Sequence, residues 1–255
     1  MSGPLQLEEL REGGVVRLIL DRPPANLLDM EMVQAIQQAL PGLAARSGLR
    51  LLIFDSAGDH FCFGASVPEH LPGQVDQMLP AFHQLFRDLE ATGIPTAAAV
   101  RGRCLGGGAE LATWCGTVHC SHTARFAVPE VQLGVFPPVA AFALRWRISG
   151  ARAASMVLTG RAVTGVEAAS IGLADACHED PLASLLSMYD RELAARSPAA
   201  LRFAWKAARA PLARALAEEL PALERLYLDE LMAHPDAIEG LQAFVDKRPP
   251  AWRSA

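Results

Sequence analysis

The stretch GRCLGGGAELAT, residues 102–113, sets Gly106, Gly107 and Gly108 just ahead of an acid, Glu110. Glycine loses more backbone freedom on folding than any other residue, so an ordered triplet needs a reason. A dinucleotide-binding G-x-G-x-x-G turn fails on pattern, and no acid about 20 positions on suits a ribose-binding strand end. A phosphate-cradling P-loop needs G-K-[ST], which is absent. Close packing of a strand-to-helix turn uses glycine without any chemistry. The remaining use is an oxyanion site. The first N–H groups of a helix have no partner inside it and favour negative charge. Bare glycines let a reacting group come against donors fixed where charge develops.

Glu110 follows Gly107 by three residues. The two therefore share a helix face, and helical side chains lean toward the N-terminus. A carboxylate leaning back toward the Gly107 N–H gives one segment an oxyanion donor and a general acid/base. The plainer reading, a favourable charge in a first helical turn, is left open by spacing alone.

Positioning such a segment takes a strand before it and a helix after it. GIPTAAAVRG (93–102) reads as a strand entered through proline, and LRLLIFDS (49–56) as a continuous apolar strand buried on both faces. GVVRLILDRP (14–23), GTVHCS (116–121) and ARFAVPE (124–130) are further strand candidates. Asp29 opens a helix with Met30, Val33, Ile36, Leu40 and Leu43 on one face. Strands alternating with helices predict an α/β fold with right-handed crossovers. Beyond residue 140 the character changes. Thr164 and Glu167 form a capping box that ends at Gly172. Ser197 and Pro198 open another helix, and residues from Asp180 onward read mostly as helix. The expected division is an α/β core over 1–180 and a helical region over 181–255, packed on the core, on another subunit or on both.

Composition narrows the classes. The 255 residues suit one large domain, or one with a small appendage, and 51% hydrophobic content supports a substantial core. A net charge of -5 gives no footing for nucleic acid. Five cysteines, Cys62, Cys104, Cys115, Cys120 and Cys177, include no CxxC pair. That favours reduced thiols in a cytoplasm over a disulfide framework, and no metal site is expected. The start MSGPLQLEELREGG lacks an apolar h-region, and no run of about 18 apolar residues predicts a membrane span.

Four ordered motifs extend the picture: HFCFGAS (60–66), AAVRGRCLGGGAELA (98–112), ARFAVPEVQLGVFP (124–137) and LTGRAVTGVEAASIGLAD (158–175). With LILDRPPANLLDMEMVQAIQQAL and IEGLQAFVDKRPPAW at the ends, the chain resembles the enoyl-CoA hydratase/isomerase (crotonase) superfamily over almost its whole length. The resemblance implies a crotonase-like ββα spiral core and a C-terminal helical trimerisation region, assembled as a homotrimer or a dimer of trimers. It implies acyl-CoA thioesters as substrates, with no separate cofactor. The backbone N–H groups of Ala65 and Gly107 would polarise the thioester carbonyl and stabilise an enolate. Ala25, Ala65, Ser66, Val67, Gly107 and Pro138 would line the CoA and acyl path. Glu110 and Glu130 match the two glutamates of the hydratase branch. Glu130 is assigned as proton donor to the carbon beside the carbonyl and Glu110 as activator of water, although the roles could be reversed. Lys247 stands where relatives place a basic residue near the CoA phosphates, and a surface lysine is an equal reading.

Two departures matter. PPVAAF (137–142) replaces the family's P-G-A-G-G, so Pro138 brings no N–H and a stiffer pocket. Ser66 stands where many members have Asp. Both features are similar to hydratases of cyclohexa-1,5-diene-1-carbonyl-CoA in anaerobic aromatic degradation. The competing activities are double-bond isomerisation and non-catalytic acyl-CoA binding; retention of both glutamates favours hydration. His70, His119 and Cys120 are expected to be structural, and Trp114 and Trp146 to be core or interface aromatics.

Overall fold

The structure, a computed structural model, describes residues 3–253. Six strands form the main sheet: β1 (Leu5–Leu10), β2 (Val15–Leu20), β3 (Leu51–Ser56), β4 (Thr96–Val100), β6 (Thr117–Cys120) and β9 (Ala176–Cys177), in that spatial order. From β2 to β9 every pairing is parallel; only β1 runs antiparallel, to β2. Every residue of β3 and β4 is buried. This explains their unbroken apolar runs, because parallel strands are covered on both faces. Side chains alternate between those faces. Leu52 and Phe54 enter the main core, whereas Leu51 and Ile53 join a smaller cluster with Leu185 and Tyr189.

A second sheet joins β5 (Arg103–Leu105), β7 (Arg125–Ala127) and β8 (Val163–Thr164). β5 leads at once into helix α3 (Gly107–Trp114). The strand expected over 124–130 stops at Ala127, because Pro129 opens a 3₁₀ turn, Pro129–Leu133, that carries Glu130. β1, β5, β8 and β9 were not foreseen: β1 is an exposed edge, β5 is three residues long and the other two only two.

The helices form where their caps and faces require. Asp29 caps α1 (Met30–Ala44) by accepting from Met32 N at 2.9 Å. Thr164 accepts from Glu167 N at 3.1 Å to start α6 (Gly165–Ile171), which Gly172 ends in the left-handed region. α1 packs on α2 (Val75–Thr92). From α2, Phe82 and Phe86 begin an edge-to-face series that runs through Trp114 to Phe142. Trp114 is thus core, as expected, while Trp146 is 47% exposed.

The tail comprises α7 (Pro181–Met188), α8 (Pro198–Glu218), α9 (Leu220–Arg225) and α10 (Pro235–Val245). Arg209 of α8 lies over the rings of Trp114 and Trp205 and pairs with Glu90 of α2 at 2.9 Å. Leu212, Leu216, Leu220 and Leu241 join the main core, so the tail packs on its own chain's α/β layers. No helix among the described residues is long and apolar enough to cross a membrane.

One ion cluster closes the strand ends. Asp55 is fully buried, takes Arg17 at 2.8 Å and Arg101 at 3.0 Å, and accepts from Ser56 N at 2.8 Å. Removing one member of a buried pair leaves its partner's charge uncompensated. Asp55→Ala should therefore cost about 3 kcal/mol or more, read as a lower urea midpoint. An unchanged midpoint would show that the cluster contributes nothing to stability.

Candidate active site

Three backbone segments meet at the glycine triplet. Cys62 pairs with Cys104 and Leu28 with Ala65 as parallel bridges, and Phe63 N donates to Ala25 O at 2.9 Å. The segment 62–65 therefore lies between the β5 end and the chain around residues 25–28. Gly106 carries φ +50° and ψ −129°, a conformation that side-chain-bearing residues avoid. A Cβ there would come within 2.6 Å of Glu130 Oε1. A Cβ on Gly108 would lie 2.6 Å from that of Cys62. The bare backbone is needed both for the turn and for close packing, the reading of the triplet that requires no chemistry.

Gly107 is the first residue of α3, and its N–H has no acceptor among the described residues. The Ala65 N–H likewise has none. The two donors are close: a Cβ built on Gly107 would sit 3.2 Å from Ala65 N. Both residues line a small compartment together with Glu110, Glu130, Pro138 and Tyr227. An adjoining compartment shares Ala65, His70 and Glu130 and adds Val67, Gly106 and Leu241.

Glu110 is 3% exposed, and its Oε1 accepts from Ala140 N at 2.8 Å. Ala140 lies in the first turn of α4 (Pro138–Ala143). Pro138, at the first position of that helix, gives up an N–H that has no helical partner anyway. Its effect is to preset the turn that aims Ala140 at Glu110. Burial raises the Glu110 carboxyl to about 7, against the lowering pull of the Ala140 and Val139 N–H groups. Glu130 is raised well above the usual carboxylate range, by burial first and by the neighbouring Glu110 charge second. Like charges this close cannot both ionise freely, so the pair favours one shared negative charge. The donors fit an oxygen that gains negative charge; the carboxyls fit proton transfer to atoms beside it.

Several residues fall differently from the expectation. His70 is not remote: it closes a 3₁₀ turn, Val67–His70, and faces both compartments, with Nδ1 2.8 Å from Ser66 O. Burial lowers its pKa, which favours the neutral ring. The sequence hid this because a four-residue turn sets its direction. His119 and Cys120 lie on β6, away from the compartments, as expected. Lys247 follows α10 with φ +54° and is exposed; it is not among the lining residues. Tyr227 was missed. It is one of two tyrosines in the chain, set in the leucine-rich run LERLYLDEL, and nothing in its spacing points to the glycines. Among the described residues no group of three His, Cys, Asp or Glu side chains is placed to hold a metal ion.

Paired backbone donors over buried carboxyls of unequal acidity define a class of enzyme that works through a stabilised oxyanion and moves protons at carbon. The family model for enoyl-CoA hydratase/isomerase matches residues 10–255, and the chain belongs to that family. It is 42% identical over 253 residues to the cyclohexa-1,5-dienecarbonyl-CoA hydratase of Thauera aromatica, covering 99% of this chain and 98% of that protein. It is 32% identical to the 2,3-dehydroadipyl-CoA hydratase of Escherichia coli K12, covering 95% and 96%. A solved carnitinyl-CoA hydratase from Mycobacterium avium superposes with a TM-score of 0.85 at 26% identity, covering 99% of each chain. The fold is the mixed α/β fold of these hydratases, and the chain is a hydro-lyase of the enoyl-CoA hydratase type.

The raised Glu110 pKa has a consequence for stability. The folded carboxyl holds its proton up to about 7, whereas an unfolded one releases it near the usual 4.5. Between those values the folded state binds the extra proton, so this contribution to stability falls as pH rises. Glu110→Gln removes the titration. The variant should gain on the wild type from pH 5 to pH 8, by about 3 °C or more in thermal midpoint. A constant difference across that window would show that burial does not hold the proton on Glu110.

Proposed function

We propose that the chain adds water across a conjugated double bond of a CoA thioester, with cyclohexa-1,5-diene-1-carbonyl-CoA as the favoured substrate. One observation carries the catalytic reading: the acceptor-free N–H groups of Ala65 and Gly107 share a compartment with Glu110 and Glu130. The thioester oxygen accepts from both N–H groups. Such a donor is often worth about 3 kcal/mol in the transition state. Ionised Glu110 takes a proton from water as the oxygen bonds to the double-bond carbon, and the electron pair moves onto the thioester oxygen as an enolate. Protonated Glu130 then donates to the carbon beside the carbonyl as the enolate collapses. The sum is one water added, with the proton transferred from Glu130 to Glu110; exchange with solvent resets the pair. The order of acidities supports this assignment of base and acid.

The ring substrate is supported by the 42% identity to the Thauera enzyme. The apolar wall of the inner compartment, with Met78, Leu79, Phe82, Phe136 and two adjacent prolines, suits an apolar acyl group. Ala25, Ser66 and Val67 are proposed to follow the pantetheine and adenine, and Lys247 the CoA phosphates. No separate cofactor is called for, since the thioester itself supplies the electron sink. We also propose a homotrimer or a dimer of trimers in the cytoplasm, with residues 181–255 completing both the assembly and the active site. Phe203 (75% exposed), Leu158 (72%) and Phe244 (54%) are apolar side chains an assembly would cover.

Incubation with cyclic and linear enoyl- and dienoyl-CoA esters should give a product heavier by one water, fastest with the cyclic diene. Glu110→Gln and Glu130→Gln should each lower kcat about 100-fold or more. An unchanged mass with a moved double bond would make the enzyme an isomerase. Full-rate hydration by either variant would sink the two-carboxyl mechanism.

A further inference from the structure

The helical tail places one more polar atom in the inner compartment. Tyr227 sits on a π-helical turn, Leu226–Glu230, that continues α9. Single turns of this kind occur mostly inside longer helices and frequently at functional sites. Tyr227 is 1% exposed, and its hydroxyl has no hydrogen-bond partner among the described residues. Glu130 Oε2 is in the same state, and both residues line the compartment that holds Glu110 and Gly107. Buried polar groups without partners are uncommon, and each calls for an explanation in the site's chemistry.

The tyrosine is held firmly. Its ring packs against Phe136 with centroids 5.4 Å apart. One turn earlier, Glu224 meets His83 Nδ1 at 2.6 Å, which ties the segment to α2. Burial, then the charges of Glu130 and Glu110, push the phenol upward from its ordinary value. It stays neutral through the working range, so it acts as a hydrogen-bond donor and not as a base.

What such a donor serves follows from the other groups. The thioester oxygen already has Ala65 and Gly107. His70 also faces this compartment, but its Nδ1–H donates to Ser66 O at 2.8 Å, which leaves the other nitrogen of the neutral ring an acceptor. The rest of the wall beside the carboxyls is apolar, formed by Met78, Leu79, Phe82 and Phe136. The reacting species that lacks a donor there is the oxygen of the added water. We propose that Tyr227 is a catalytic residue that donates a hydrogen bond to that oxygen, first in the attacking water and then in the hydroxyl of the product. While Glu110 removes one proton, Tyr227 orients a lone pair and keeps the other toward the double bond. This assignment rests on the hydratase reading of the site.

Tyr227→Phe keeps the ring and its packing, so the thermal midpoint should equal or exceed that of the wild type. The test compares three quantities in the full-length protein: hydration of cyclohexa-1,5-diene-1-carbonyl-CoA, binding of its hydroxylated product, and binding of cyclohexanecarbonyl-CoA, which lacks the hydroxyl. The variant should hydrate at least tenfold more slowly and bind the product about tenfold more weakly, with cyclohexanecarbonyl-CoA bound within twofold of wild type. A merely structural role would shift both ligands equally; that result overturns the proposal, as does hydration at the wild-type rate. If the wild type fails to hydrate any thioester, the hydratase reading falls, and the role of Tyr227 in water addition falls with it. That outcome is distinct from an active wild type whose variant is unimpaired.

Discussion

Three chain segments can come together at residues 104–108 only because no side chain stands between them. Gly106 occupies a backbone conformation closed to most residues, and Glu130 Oε1 comes within 2.6 Å of where its Cβ would be. Gly108 lies against Cys62, which sets the distance between α3 and the segment that ends in Ala65. The N–H groups of Ala65 and Gly107, the proposed oxyanion donors, inherit their positions from that contact. So does Glu110, which is placed by the first turn of the same helix, its N–H bonded to Gly106 O at 2.9 Å. A larger residue at any of these points would part the donors from the carboxyls as well as strain the turn.

The second organising fact is electrostatic. Two carboxyls in one low-dielectric compartment interact strongly, and whichever is better stabilised as an anion ionises first. Glu110 has the Ala140 N–H and the start of α4 to support its charge. Glu130 Oε2 has no such partner. The asymmetry in the backbone around them thus becomes an asymmetry of acidity, on which the proposed division into base and acid rests. Pro138 belongs to this arrangement: the missing N–H removes nothing the helix could use, and the fixed φ holds the turn that supports Glu110.

Much of this was legible in the amino-acid sequence, and the limits have physical causes. The apolar runs of β3 and β4, the Asp29 and Thr164 caps and the Gly172 stop follow local rules that tertiary packing did not override. Gly107 and Glu110 were readable because three residues of helix fix their relation. Glu130 was not readable from spacing, since a 3₁₀ turn after Pro129 decides where it points. The direction of His70 is likewise set by a short 3₁₀ turn, which no spacing encodes. Tyr227 failed for a different reason. Its path to the site runs through the packing of α9 (Leu220–Arg225) against α2 (Val75–Thr92) and α4 (Pro138–Ala143), both far away in sequence, and no periodicity encodes it.

That separation bears on how the site is divided. Gly107 and Glu110 follow β5 directly, Glu130 follows β7 on a 3₁₀ turn, and Ala65 is bridged to Leu28, so all four groups sit on short paired segments beside the second sheet. The walls of the inner compartment come from α2, from the run 136–138, and from the tail through Tyr227. On the proposed hydratase reading, the chemistry needs the first set to be nearly invariant in geometry, whereas the acyl group meets the second. A change in the tail that leaves the strands untouched would then reshape the compartment, or remove the proposed donor from the added oxygen, without moving the thioester. One pair of backbone donors would in this way serve different acyl groups, with selectivity and the handling of water set by helices that pack in from the far end of the chain.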